Sequence, residues 1–106
     1  MSLQAGDVYY ANLNPGRGTE QQGVRPVVVI SVVSLGPRAI VVPLTTKQRP
    51  WPTRIHLTLY GTDGDAMCEQ VRTVDVARLS KGLYARVDPS VLADIQRTVA
   101  RLIGVY

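Results

Sequence analysis

The chain predicts a small, mainly β (α+β) fold: an antiparallel, barrel-like sheet with one C-terminal α-helix. Three observations point there. Short β-branched or alternating segments are separated by turns rich in Gly and Pro. The hydrophobic period changes from two to 3.6 only after Asp88. At 106 residues the chain is long enough for one core and one domain, residues 1–106, with a helix laid across a curved sheet. Aliphatic side chains must build that core, because Phe is absent and aromatics make up only 6%.

The elements follow in order. Asp7–Leu13 alternates through Val and Tyr as a strand does, and Asn14-Pro15-Gly16 ends it with a turn signal. Arg25–Val33 is a continuous β-branched run, the pattern of a strand buried on both faces. Arg38–Thr45 is another, in which Pro43 argues for an edge, a bulge or a strand end. Ile55–Leu59 alternates, with Ile55, Leu57 and Leu59 inward and His56 and Thr58 outward. Gly61-Thr62-Asp63-Gly64 reads as a loop, and Met67–Val74 as one further strand. Asp88 suits an N-cap, Pro89 the first helical position and Gly104 the C-cap. Between them Val91, Leu92, Ile95, Val99, Leu102 and Ile103 form an apolar stripe expected to pack on the sheet.

Composition removes several function classes. The lone Cys68 allows no internal disulfide and no cysteine-based zinc site. A single histidine, His56, rules out a two-histidine ribonuclease mechanism and any polyhistidine metal centre; on the outward face of its strand it reads as a bystander. Neither GxxxxGK[ST] nor GxGxxG occurs, so no nucleotide cofactor is expected, and no metal. Met1–Asp7 shows no basic-then-apolar leader and no apolar run reaches membrane-spanning length, so the expected location is cytoplasmic. The net charge of +4 lies entirely within residues 1–60, while residues 61–106 are balanced. That asymmetry suggests a face turned toward a polyanion.

One stretch stands out for chemistry. Gly18–Gly23 is a polar loop bracketed by glycines that leads into Arg25-Pro26 and an apolar strand. Pro26 favours an extended Arg25, which presents its guanidinium at the mouth of that strand. Such an arginine suits an anionic ligand; an ordinary hairpin with a surface arginine fits the spacing equally well. Thr45, Thr46 and Lys47 end another strand, and Glu69-Gln70-Val71-Arg72-Thr73-Val74-Asp75 alternates polar and apolar groups. Each cluster alone has a plain structural explanation, and three of them at strand ends make a shared site more plausible. Tyr9, Tyr10, Trp51 and Tyr60 fit a core or a base-stacking surface equally.

Taken together, Gly6-Asp7-Val8-Tyr9, Asn14-Pro15, Gly18–Gln21, Gly23–Ile30, Val42–Thr45 and Glu69–Asp75 closely resemble the MazF/PemK family of toxin endoribonucleases of type II toxin–antitoxin systems. The resemblance runs from Gly6 to the terminal helix. It implies an SH3-like barrel, a homodimer, metal-independent cleavage of single-stranded RNA at a short sequence, and neutralisation by a cognate antitoxin with an acidic tail. It also implies roles: Arg25 and Thr45 as catalytic residues, Arg72 and Asp75 as a catalytic pair proposed in some members, and Glu20 and Gln21 as RNA contacts. Arg17, Thr46, Lys47 and Gln70 are expected to join the RNA surface. Thr19 stands where certain members carry a catalytic histidine, which leaves the general base open between Asp75, Glu20 and positioning alone. Two other classes compete: a gyrase poison of related fold and a non-catalytic docking barrel.

Overall fold

Among the described residues, seven strands and one α-helix follow in the order β1 (Asp7–Asn12), β2 (Val24–Val29), β3 (Arg38–Thr45), β4 (Arg54–Leu59), β5 (Thr62–Met67), β6 (Arg72–Asp75), β7 (Ala85–Arg86) and α1 (Pro89–Leu102). The computed structural model describes residues 3–105; Met1 and Ser2, part of the segment read above for a leader, lie outside the described residues. Every pairing between the strands is antiparallel, and they run β4-β5-β3-β2-β1-β7 with β6 added to β3. The expected mainly β sheet with a C-terminal helix is therefore what forms.

β3 organises the sheet. One edge pairs with β2; the other pairs with β6 over Arg38–Val41 and then with β5 over Leu44–Thr45. Pro43 sits in the gap between those two partners. Ile40 turns its amide and carbonyl toward the β2 side, donating to Ser31 Oγ and accepting from the Ile30 amide. The two-residue alternation then aims Pro43 at the opposite edge, where its missing N–H costs no ladder bond. The sheet buries both faces. Val8, Val28, Val42, Leu44, Ala66 and Ile95 pack on one, and Tyr9, Ala11, Val27, Val29, Val41 and Val74 on the other.

Three expectations need correction. β2 stops at Val29 rather than Val33, because Ser31 Oγ replaces a main-chain partner for Ile40 and the chain then leaves the sheet; Val32 and Val33 are exposed. Gly61–Gly64 is not a loop. Tyr60 and Gly61 (φ 50° and 78°) make a two-residue turn, and β5 begins at Thr62, directly opposite Leu59. Gly64 belongs to that strand because a Cβ there would lie 2.5 Å from the Thr45 carbonyl oxygen. Met67–Val74 is likewise not one strand: a 3₁₀ turn at Cys68–Gln70 separates β5 from β6, which lets the chain pass from one part of the β3 edge to another.

The helix begins after Asp88 with Pro89 in the first turn, as expected, though Asp88 makes no side-chain cap. Ile95 is fully buried and Val91, Leu92 and Val99 pack on the core around it. Leu102 and Ile103 do not pack; they extend past the sheet into solvent.

A candidate phosphate-binding site at the end of strands 2 and 3

The strand register assembles the site. Ala11 lies opposite Arg25, Thr45 opposite Asp65, and Asp65 opposite His56. The β2–β3 ladder ends at Val27–Pro43, two residues short of Arg25 and Thr45, and a 3.5 Å bond from Arg25 Nη1 to the Leu44 carbonyl links the two strand ends. Ala11 and Arg25 therefore project together, and so do Thr45, Asp65 and His56, since directly opposed residues project the same way. A cavity of about 620 Å³ opens at this end and is bordered by Arg25, Thr45, Thr46, Lys47, Gln21 and Asp65 among others. Five sequence-selected residues, distant in the chain, meet there.

Arg25 is half-buried, and among the described residues it forms no ion pair, whereas Arg54, Arg86 and Arg97 each hold a carboxylate. Long bonds to the carbonyls of Gln22 (Nε, 3.4 Å) and Leu44 (Nη1, 3.5 Å) steer the guanidinium along the cavity wall. Thr45 Oγ1 accepts from the Lys47 amide at 3.1 Å. Its own hydroxyl hydrogen is left free to donate outward. A cation and a neutral donor side by side are what a phosphodiester requires.

The loop before Arg25 is held from outside. Gln70 Oε1 accepts from the Gln21 amide and Gln70 Nε2 donates to the Thr19 carbonyl, at 3.2 and 3.3 Å. The Gln70 amide group is thereby engaged with the loop that precedes Arg25. Glu20 Oε1 accepts from the Arg17 amide at 2.6 Å, closing the same loop on itself. Arg72 and Asp75 are not brought to this site. Asp75 pairs with Arg38 at the far end of β3, roughly 20 Å along the strand from Thr45. Its carboxylate accepts from the Ala77 amide at 2.8 Å. Arg72 pairs with Val41, nearer but still behind the Pro43 junction.

Sequence reading missed the support beneath Thr45. Asp65 is completely buried and accepts from the Arg49 amide at 2.8 Å; His56 Nδ1 lies 2.5 Å from its other oxygen. Arg54, stacked 4.5 Å over the Trp51 ring, joins Asp65 at 3.7 Å and Glu69 at 2.7 Å. Burial opposes ionisation of Glu69, but the bonds from Arg54 and Thr53 outweigh it and hold its carboxyl below the usual range. His56 is outward-facing as expected, yet it caps a buried charge. Cys68 is sealed in the core, where burial first and Glu69 second push its thiol up to about 12. It is not a nucleophile at neutral pH.

The family model for the PemK-like, MazF-like toxin of type II toxin–antitoxin systems matches residues 4–103. Endoribonuclease EndoA of Bacillus subtilis is 39% identical over 89 residues, covering 76% of this chain and 77% of its own. Endoribonuclease MazF of Staphylococcus saprophyticus is 37% identical over 90 residues, with 76% and 75% covered. In fold, the chain is similar to MazF of Deinococcus radiodurans (TM-score 0.86, 22% identity, 99% of each chain covered). It is also similar to a mycobacterial endoribonuclease solved with its cognate antitoxin (TM-score 0.81, 20% identity, 99% and 98% covered). With the match spanning nearly the whole chain, this protein belongs to the PemK-like, MazF-like toxin family.

Proposed function

We propose that this chain cleaves single-stranded RNA at a short sequence, without a metal ion, by attack of the substrate's own 2′-hydroxyl. Its broader class, a toxin endoribonuclease, follows from the family and from curated relatives named for that activity. The observation that carries the mechanism is that Arg25, half-buried and, among the described residues, without a carboxylate partner, borders the same cavity as Thr45. In the reaction the O2′–P bond forms as the P–O5′ bond breaks; the 2′-hydroxyl proton passes to water and O5′ takes one up from water, leaving a 2′,3′-cyclic phosphate and a 5′-hydroxyl. The pentacoordinate phosphorus carries the extra negative charge. Arg25 spans two of its oxygens with a planar fork, and the Thr45 hydroxyl donates to one of them. Guanidinium does not act as a base. The Glu20 carboxylate is engaged with its own loop and Asp75 lies far along β3. Rate enhancement therefore rests on charge stabilisation and in-line positioning.

The same reading makes the protein a cytoplasmic homodimer held inactive by an antitoxin with an acidic, partly disordered tail. The basic excess of residues 1–60 supports an anionic partner. The gyrase alternative draws no support from the relatives named above. Incubating the protein with mixed-sequence RNA in excess EDTA tests the reading. Cut RNA with cyclic-phosphate ends, and binding that weakens steeply with salt, are expected; cleavage that needs added Mg²⁺ overturns it.

A further inference from the structure

We infer that Tyr10, Tyr84 and Tyr60 form a nucleobase-stacking wall beside the Arg25–Thr45 end of the cavity. The inference rests on the RNA-cleavage reading and names where an unpaired base next to the bound phosphate goes. The tyrosines divide by position. Tyr9 is 5% exposed and belongs to the core, whereas Tyr10 is 38% and Tyr60 74% exposed. The Tyr10 and Tyr84 rings meet edge to face with centroids 4.9 Å apart, and Tyr60 meets Tyr84 the same way at 5.2 Å. Tyr10 and Tyr84 both border the cavity that holds Arg25 and Thr45.

Tyr10 pairs with Pro26, which follows Arg25 on β2; the two β2 side chains leave the strand on opposite faces at its end, and both border the one cavity. Pro26, Leu44, Leu57 and Leu59 also border the cavity. The compartment thus joins apolar and aromatic groups, for a base, with Arg25 and Lys47, for a phosphate; its two carboxylates are held by other partners, Asp65 by the Arg49 amide and Arg54, and Asp63 by the Thr58 hydroxyl.

The wall is built in advance. Tyr60 holds φ 50°, in the left-handed region that a bulky side chain occupies only when its surroundings impose it. Its hydroxyl donates to the Tyr84 carbonyl at 2.7 Å, fastening the β4–β5 turn to the segment before β7. A rigid aromatic face costs little ordering on binding, and stacking accepts any base. The polar loop side would then supply sequence preference.

The test uses an oligoribonucleotide made uncleavable by 2′-O-methylation, and copies of it with single abasic positions. Tyr60→Asn removes one ring while leaving Asn-Gly, a favoured pair for this turn, so the fold is kept. Tyr84→Leu removes the central ring and Tyr84→Phe retains it. Both ring-removing variants should bind the intact oligonucleotide about 5- to 100-fold more weakly, with an unchanged salt slope, and Tyr84→Phe should bind like wild type. On the copy lacking the stacked base the difference between wild type and variants should vanish. Equal losses on every copy, or wild-type affinity for RNA with binding lost only to the antitoxin, overturn the stacking wall alone. Wild-type protein that binds none of the oligonucleotides overturns both it and the cleavage reading.

Discussion

Arg25 and Thr45 border one cavity at the adjoining ends of β2 and β3, and among the described residues neither side chain is held by a carboxylate. An arginine so placed can be removed without opening the core. Arg25→Ala is expected to lower kcat about 10²- to 10³-fold, the usual loss when a preorganised donor to the transition state disappears. Arg25→Lys should recover only part of it, since an ammonium cannot bridge two oxygens in one plane. Cleavage kinetics beside thermal melts check this; near-normal rates in a folded Arg25→Ala protein would refute the role.

Gly64 offers an independent test of the site's geometry. A methyl group there would sit 2.5 Å from the Thr45 carbonyl oxygen, so the β3 end has to shift to admit it. Gly64→Ala should destabilise the protein by about 1–3 kcal/mol. It should also depress cleavage more than stability loss explains, because a displacement near 1 Å at a positioned group costs about 10²-fold. Residual cleavage measured well below the melting temperature separates the two effects.

Asp75→Ala is expected to behave in the opposite way. The carboxylate accepts from the Ala77 amide at 2.8 Å at the start of a 3₁₀ turn and lies at the end of β3 remote from Thr45. Its loss should cost about 1 kcal/mol of stability, as for other capping residues. Cleavage should stay within about threefold of wild type, the range of substitutions away from a site. A collapse of kcat in a stable Asp75→Ala protein would return this residue to the catalytic machinery.

What the sequence made legible was local. Arg38–Thr45 was read to the residue, because a β-branched run between turn residues needs no tertiary information. The helix start at Asp88-Pro89 was equally plain. Arg25 and Thr45 stand out as strand-end residues, but that they border one cavity is visible only in the folded sheet. Features that depend on pairing were misread. Gly64 looked like loop chemistry, yet its reason is the Thr45 backbone of another strand. Asp65 sits in a Gly-Asp pair that suggests a turn, and only the sheet reveals it as a buried charge between His56, Arg54 and the Arg49 amide. Met67–Val74 reads as one strand, but the 3₁₀ turn at Cys68–Gln70 divides it and carries β6, with Asp75 at its end, to the Arg38 end of β3.

Below the site, Arg54 makes the fold sensitive to acid. Its side chain is 8% exposed and bridges Glu69 and Asp65. Glu69 is held below its ordinary value of 4.5 in the folded protein. The unfolded chain therefore takes up the proton first as pH falls. The stabilisation from Glu69 is complete above about pH 4.5 and is lost as pH drops through the lower folded value. Glu69→Gln should melt at lower temperature than wild type at pH 7, with the two curves converging toward pH 3. Arg54→Met should do more harm, about 3–5 kcal/mol at neutral pH, because it leaves the fully buried Asp65 short of a positive partner. Melting temperatures across pH 3–8 decide the matter: parallel profiles for wild type and Glu69→Gln would show that the carboxylate carries no folding-linked charge.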